Sequence, residues 1–294
     1  MAISLRRSLQ PAAAAAFLAF SAAGVLRAAG PIRLEVDASE APRKLFHARL
    51  WIPATPGPLT LLYPKWLPGE HGPTGPIADV AGLRITAGGR AIAWTRDPVE
   101  MYAFVCEVPG GASEIEVSLD LLSPASAGQF SSGASATSTL AMVSWNQFLV
   151  YPRGADADAL LYAASLKLPA GWSHGTALAE ENGGTAAGDT VRFSPVPLTT
   201  LVDSPVLAGR FFRTVTLSDV PPVHRIDMAA DSAAALEMNA EILRSLKNLV
   251  AETGALFGAR HYRHYDFLLT LSDAVTHFGL EHHESSDDRV AERS

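Results

Sequence analysis

The chain divides into two patterns of apolar and polar positions. From Pro31 to about Asp219 the apolar residues come in short alternating or aromatic-rich runs punctuated by Pro and Gly. In EIEVSLDL, Ile115, Val117, Leu119 and Leu121 alternate with Glu114, Glu116, Ser118 and Asp120, the period of a strand with one buried and one wet face. Further strands are expected at IRLEVDA, KLFHARLWI, LTLLYP, GLRITA, YAFVCEV, TLAMVSWNQFLVYP, ASLKL, TVRFSPV and GRFFRTVTL. So many strands with almost no helical period between them predict an all-β sandwich or barrel-like domain.

The period changes after VPPVHRIDMAAD. Leu236, Leu243, Val250 and Phe257 recur every seven residues with Leu246 and Leu249 beside them, which predicts an amphipathic helix with one apolar stripe. Asp231 or Ser232 is the expected N-cap and Gly258 the expected stop. YDFLLTL then reads as a buried strand, and FGLEHHE follows. Strand, long helix, strand is the opening of an α/β or α+β domain. Only about seventy residues of it are present, fewer than a domain of typical size, so the chain is expected to stop inside this domain. The expected fold class is mainly β: residues 30–220 as a β-sandwich-like domain, then 221–294 as the start of an α+β domain.

Composition supports a folded chain and removes one class of partner. Of 294 residues, 48% are hydrophobic and 18% charged, enough apolar material for a large core. The net charge is -7, and the 23 Lys and Arg are scattered singly. No basic stripe is available for a phosphate backbone, so nucleic acid is not an expected partner.

Residues 1–29 stand apart. Arg6 and Arg7 precede the uncharged run PAAAAAFLAFSAAGVL, and small residues follow in RAAG, the three-part plan of a secretory signal peptide. The apolar run falls short of the roughly 20 residues that span a bilayer. Cleavage between about residues 24 and 30, export to the periplasm or beyond, and no stable membrane insertion are expected. Cys106 is the one cysteine, so no internal disulfide can form, and a buried place in its strand is expected. The low-complexity stretch at 123–139 suits a flexible loop between strands.

The chemistry-bearing letters crowd near the end, in HFGLEHHESSDDRV. His283-Glu284-x-x-Asp287 is the zinc-protease pattern His-Glu-x-x-His with its last histidine replaced. That pattern needs a helix to bring its two ligands to one face, and a third protein ligand. Neither is apparent here, so a metal site of His282, His283 and Asp287 is the weakest of the available readings. His261 and His264 read as ordinary surface or interface histidines, and His71, in YPKWLPGEHGPTGPI, as part of a structural loop. There is no Gly-x-Ser-x-Gly elbow or phosphate-binding glycine loop, and the DSP at 203–205 lies in an unremarkable context.

The order of parts carries more than any one motif. A signal peptide, a β-domain with YPKWLPGEHGPTGPI, a joint at DSPVLAGRFFRTVTL, a long helix and then HYDFLLTLSDAVTHFGLEHHESSDD resemble the glycyl aminopeptidase-like family of zinc metallopeptidases. The most specific pieces are Trp66-Leu67-Pro68-Gly69 and Gly279-Leu280-Glu281-His282 followed by Ser285. The resemblance implies an N-terminal β-domain, a thermolysin-like catalytic domain and usually a C-terminal PDZ domain. It also implies a zinc-binding His-Glu-x-x-His helix some tens of residues beyond Gly279–His282. The chain stops at Ser294, so it looks like the front portion of an exported zinc aminopeptidase. It is expected to lack activity by itself, with no catalytic residue, no metal ligand and no bound zinc of its own.

Gly279–His282 also looks like the Gly-x-Met-Glu-Asn segment of the aminopeptidase N family, an edge strand whose Glu holds the substrate's free amino group. That carry-over makes Glu281 the ligand of a peptide's N-terminus, with Gly279 and His282 lining the same edge. A fixed carboxylate beside an open strand edge supplies both charge and peptide hydrogen bonds. His282 stands where that family has Asn. The rival expectation is a secreted, non-enzymatic β-sandwich binding protein.

Overall fold

The computed structural model describes residues 30–67, 70–124, 135–181 and 190–293. The signal-peptide segment, Pro68-Gly69 and most of the expected 123–139 loop lie outside them. Strands run in chain order as β1 Ile32–Asp37, β2 Leu45–Pro53, β3 Gly57–Leu62, β4 Val80–Ala87, β5 Arg90–Ile92, β6 Trp94–Arg96, β7 Ala103–Val108, β8 Glu114–Leu122, β9 Leu140–Val143 and β10 Tyr151–Pro152. They continue as β11 Leu161–Lys167, β12 Ser173–Thr176, β13 Thr190–Arg192, β14 Val196–Pro197, helix α1 Leu198–Val202, β15 Val206–Gly209, β16 Phe211–Ser218 and β17 Val223–Ala230. The last elements are helix α2 Ala240–Phe257, β18 His264–Leu271, β19 Phe278–Glu281 and β20 Ser285–Val290.

The protein is mainly β, as its alternating runs predict. The largest sheet has the order β13-β11-β1-β2-β8-β4-β5, with β14 also on β11, and a four-stranded sheet has the order β10-β3-β7-β6. One apolar core joins the two, with Leu34, Leu50 and Val117 from the first and Leu61, Phe104 and Cys106 from the second. In β8 every second residue is buried, from Ile115 to Leu121. Cys106 is buried as expected.

The run TLAMVSWNQFLVYP, expected as one strand, turns a corner. β9 joins a three-stranded sheet, β12-β15-β9, and β10 joins the four-stranded one. A 3-10 turn at Trp145–Gln147 connects them. The Trp145 indole donates to the Ser204 carbonyl at 3.0 Å, and the Tyr63 hydroxyl donates to the Gln147 carbonyl at 3.1 Å. Leu140–Val143 and Trp145–Val150 are buried without interruption on either side of Ser144, so alternation could not reveal the break.

The last sheet has the order β16-β17-β18-β20-β19. β17 and β18 pair in parallel through α2, and β18 pairs in parallel with β20. β16 pairs with β17, so sheet membership changes before the expected boundary at residue 220. One face of this sheet packs through Ala229 and Leu268 on Leu140, Met142 and Leu207 of the three-stranded sheet. Its other face packs Ile226, Met228 and Ala230 under α2.

Helix α2 starts later than the sequence suggests. Asn239, not Asp231 or Ser232, caps it, its Oδ1 accepting from the Ile242 amide at 2.8 Å. Residues 234–236 form a separate 3-10 turn. Asp231 instead accepts from the hydroxyls of Thr137, Thr139 and Ser272. Gly258 ends the helix with φ at 65°, the left-handed stop that glycine permits. The apolar stripe is only partly buried: Val250 is covered and Leu243 and Leu246 half-covered, but Leu249 is 56% and Phe257 72% exposed. A helix lying on one sheet face covers only the narrow arc aimed at that face.

Candidate functional site

β19 is the last strand in its sheet, and β20 is its one strand neighbour among the described residues. The pair is antiparallel, with Gly279 opposite Asp288 and Glu281 opposite Ser286. The His282 amide donates to the Ser285 carbonyl at 2.8 Å and closes the turn between the strands.

The alternation of side chains divides the predicted site residues. Gly279 and Glu281 are exposed on one side. Phe278, Leu280 and His282 line a small cavity of about 20 Å³ on the other, together with Gln147 and Pro205 of the β-rich region. The structure therefore brings Gly279 and Glu281 together and sends the side chain of His282 elsewhere. A Cβ at Gly279 would meet nothing within 4 Å, so no close approach requires this glycine, and its flank is open.

His282 is tied to Asp203. Its Nδ1 donates to Asp203 Oδ1 at 2.9 Å, and the His283 amide donates to Asp203 Oδ2 at 2.9 Å. Sequence reasoning passed over Asp203, and no local signal could have linked it to a turn so far along the chain. Leu67 and Glu70 line the same cavity as Leu280 and His282. The loop carrying Trp66-Leu67 and the segment Gly279–His282, the two most specific sequence motifs, thus meet in space.

The Glu281 side of the strand is acidic. Ser286 donates to Asp288 at 2.6 Å. Burial raises the Asp288 carboxyl, and the charges of Asp287 and Glu281 push it the same way. The Tyr265 hydroxyl is pushed up to about 12, by burial first and then by Asp288 and Glu281. A cation beside Glu281 would relieve this crowding of like charge.

The near-match to a zinc motif has a different role. His283 lies in the turn and Asp287 in β20, so no helix aligns them. Glu284 is held by Arg263 through Nε at 2.9 Å and Nη2 at 2.6 Å, and its carboxyl falls to about 2. Asp287 is buried against Arg289, with Nη2 at 2.6 Å, and the Arg289 guanidinium also lies over the Phe278 ring. His264 bonds Asp266 at 2.7 Å and His224 bonds the Tyr262 hydroxyl at 2.8 Å. Among the described residues, no group of three His, Cys, Asp or Glu side chains is placed to hold a metal ion. These residues do not fit a zinc centre.

The described residues thus form a β-rich framework whose last sheet has the short β19 at its edge. Residues 33–210 match the family described as Peptidase M61 N-terminal domain, and the chain belongs to that family. The fold is similar to that of the aminopeptidase N family protein from Idiomarina loihiensis, at TM-score 0.71 and 17% identity over 89% of this chain and 42% of that one. The yeast LTA4 hydrolase overlaps at TM-score 0.52 and 10% identity, over 88% of this chain and 40% of its own. A weaker overlap, TM-score 0.48 at 15% identity over 87% of this chain and 58% of the other, is with the M1 zinc metallopeptidase of Deinococcus radiodurans. At such identities the likeness is one of fold. The chain spans less than two thirds of the length of each of these structures. No curated protein matches it closely enough to add to this.

Proposed function

We propose that this chain is the N-terminal part of an exported zinc-dependent aminopeptidase. Its residues 30–220 form the β-domain, and residues 221–294 begin the catalytic domain. Glu281 binds the free amino group of the peptide substrate, and the Gly279 flank leaves room for the peptide's first residue. The observation that carries this reading is the placement of an exposed Glu281 on a four-residue terminal strand, beside the half-buried Asp288 whose charge it already opposes. An ammonium in that position gains a charge-assisted hydrogen bond, and the strand edge offers backbone groups to an extended peptide. Among the described residues no cluster of His, Cys, Asp and Glu fits a metal ion, and this reading assigns the zinc ligands and general base to other residues of the enzyme. The given chain is not expected to hydrolyse peptides alone.

Among the described residues no helix is long and apolar enough to cross a membrane. Export rests on the charge and apolar pattern of residues 1–29.

The test is kinetic and uses the full-length gene product. Glu281→Gln should lower kcat/KM for peptides with a free N-terminus by about 10- to 100-fold, the worth of one hydrogen bond to a charged group. N-acetylated peptides should be equally poor substrates for both forms. Retention of full selectivity for a free amine in the variant would refute the assignment of Glu281. A full-length product without peptidase activity would favour the non-enzymatic binding protein.

A further inference from the structure

The β19 strand is short and has one strand neighbour among the described residues, so pairing alone holds it weakly. A substrate edge must nevertheless keep its register and rotation, because a strand that twists by one residue exchanges its two faces. We propose that Asp203 is the positioning residue that fixes β19, an inference that rests on the reading of β19 as the substrate-recognition edge.

Asp203 is placed for this by its own surroundings. It follows α1, and its amide donates to the Thr199 carbonyl at 3.2 Å, so its backbone is fixed before the side chain reaches out. The carboxylate then accepts from two consecutive residues of a distant turn, the His282 ring and the His283 amide. Two acceptors on one carboxylate determine both where the turn sits and how it is rotated, which a single hydrogen bond does not. The His282 side chain is 5% exposed, so its bond is shielded from competing water. Because a carboxylate only accepts, the bond also places the ring proton on Nδ1.

The neighbours of Asp203 complete the hold. Val202 and Pro205 line the cavity against Phe278 and Leu280. The inner side chains of β19 therefore rest on the segment that carries the clamp. Glu281, on the opposite side, is aimed by contacts it does not itself make.

Amide hydrogen exchange on this chain tests the proposal without needing activity. Asp203→Asn should speed exchange of the amides of residues 279–283 at least about tenfold, with β1 and β18 unchanged. Asparagine has one acceptor oxygen where the carboxylate has two, so either the His282 Nδ1 proton or the His283 amide should lose its hydrogen-bonded shift in nitrogen-15 NMR. If Asp203→Asn does not fold, His282→Phe keeps a ring in place and removes the donor. It should give the same localised acceleration. Unchanged exchange at 279–283, or acceleration spread evenly over the whole chain, would overturn the positioning role whatever the kinetics show.

A second readout separates this claim from the proposed function. In the full-length enzyme, Asp203→Asn should raise KM for free-amine peptides about tenfold with kcat nearly constant. If exchange rises locally and kinetics do not change, Asp203 still positions β19, and the substrate role of the strand is what fails.

Discussion

The large two-sheet core and strand β20 of the last sheet bury opposite kinds of side chain. Around Leu34, Leu50 and Val117 the core is apolar throughout. In β20 the buried residues are Ser285, Ser286, Asp287 and Arg289. The first region draws its stability from area removed from water, which is non-directional and tolerant of small shifts. The second depends on paired charges, which are costly when one partner is lost and add little when both are replaced. The exposed Glu281 of β19 therefore stands beside a strand in which charge is already part of the interior.

That contrast can be broken most sharply at Arg289. Arg289→Ala leaves Asp287 charged and buried and should cost about 3–5 kcal/mol in urea unfolding. The double change Asp287→Leu, Arg289→Met should recover most of that loss. Failure of the pair to recover would mean that β20 is not governed by the charge pair. Leu50→Ala, in the other region, should cost about 2–5 kcal/mol through a cavity, and no second substitution of a charge should rescue it.

The next effect is one of pH. Asp227 on β17 is held at about 6, chiefly by burial, with Asp266 of β18 raising it and Thr214, Arg225 and His174 opposing. Its carboxylate lies where a Cβ on Gly175 would stand, between the last sheet and the three-stranded one. The folded state keeps this proton up to about pH 6, whereas the unfolded chain releases it near 3.9. The folded state thus binds more protons in that window, and this group's contribution to stability falls as pH rises from about 4 to 6. The loss amounts to about 3 kcal/mol. Asp227→Asn should remove that slope, seen as a variant whose stability relative to the native chain improves on going from pH 4 to pH 7. Parallel pH curves for the two proteins would contradict this.

The smallest effect is local to α2. Asn239→Ala should cost about 1 kcal/mol, whereas Asp231→Ala and Ser232→Ala should leave helix content unchanged by circular dichroism.

The regions also differ in how much their sequences disclose. The alternation in β8 and the seven-residue recurrence in α2 are properties of neighbouring residues, and they placed the strand, and the helix apart from its start. The segment Gly279–Glu281 was expected as an edge strand only through its resemblance to an aminopeptidase N segment, not through its own pattern. The strand SSDDRV was not legible, because hydropathy cannot register burial achieved by Asp287 and Arg289 pairing with each other. Asp203 was invisible for a related reason: its partners are supplied by the fold. The N-cap was misplaced because Asp231, Ser232 and Asn239 are all good capping types, and tertiary bonds to Thr137, Thr139 and Ser272 claimed the first of them.

The open side of β19 has a consequence beyond substrate. An edge that admits an extended peptide also admits the edge of a duplicate molecule, the usual route to strand-mediated aggregation. Here that route is short, four residues long, and each copy would bring Glu281, with Asp288 close behind, to the same contact. Like charges meeting across so few hydrogen bonds disfavour self-pairing. The carboxylate proposed to hold a peptide's ammonium thus also disfavours pairing of this edge with its own copy.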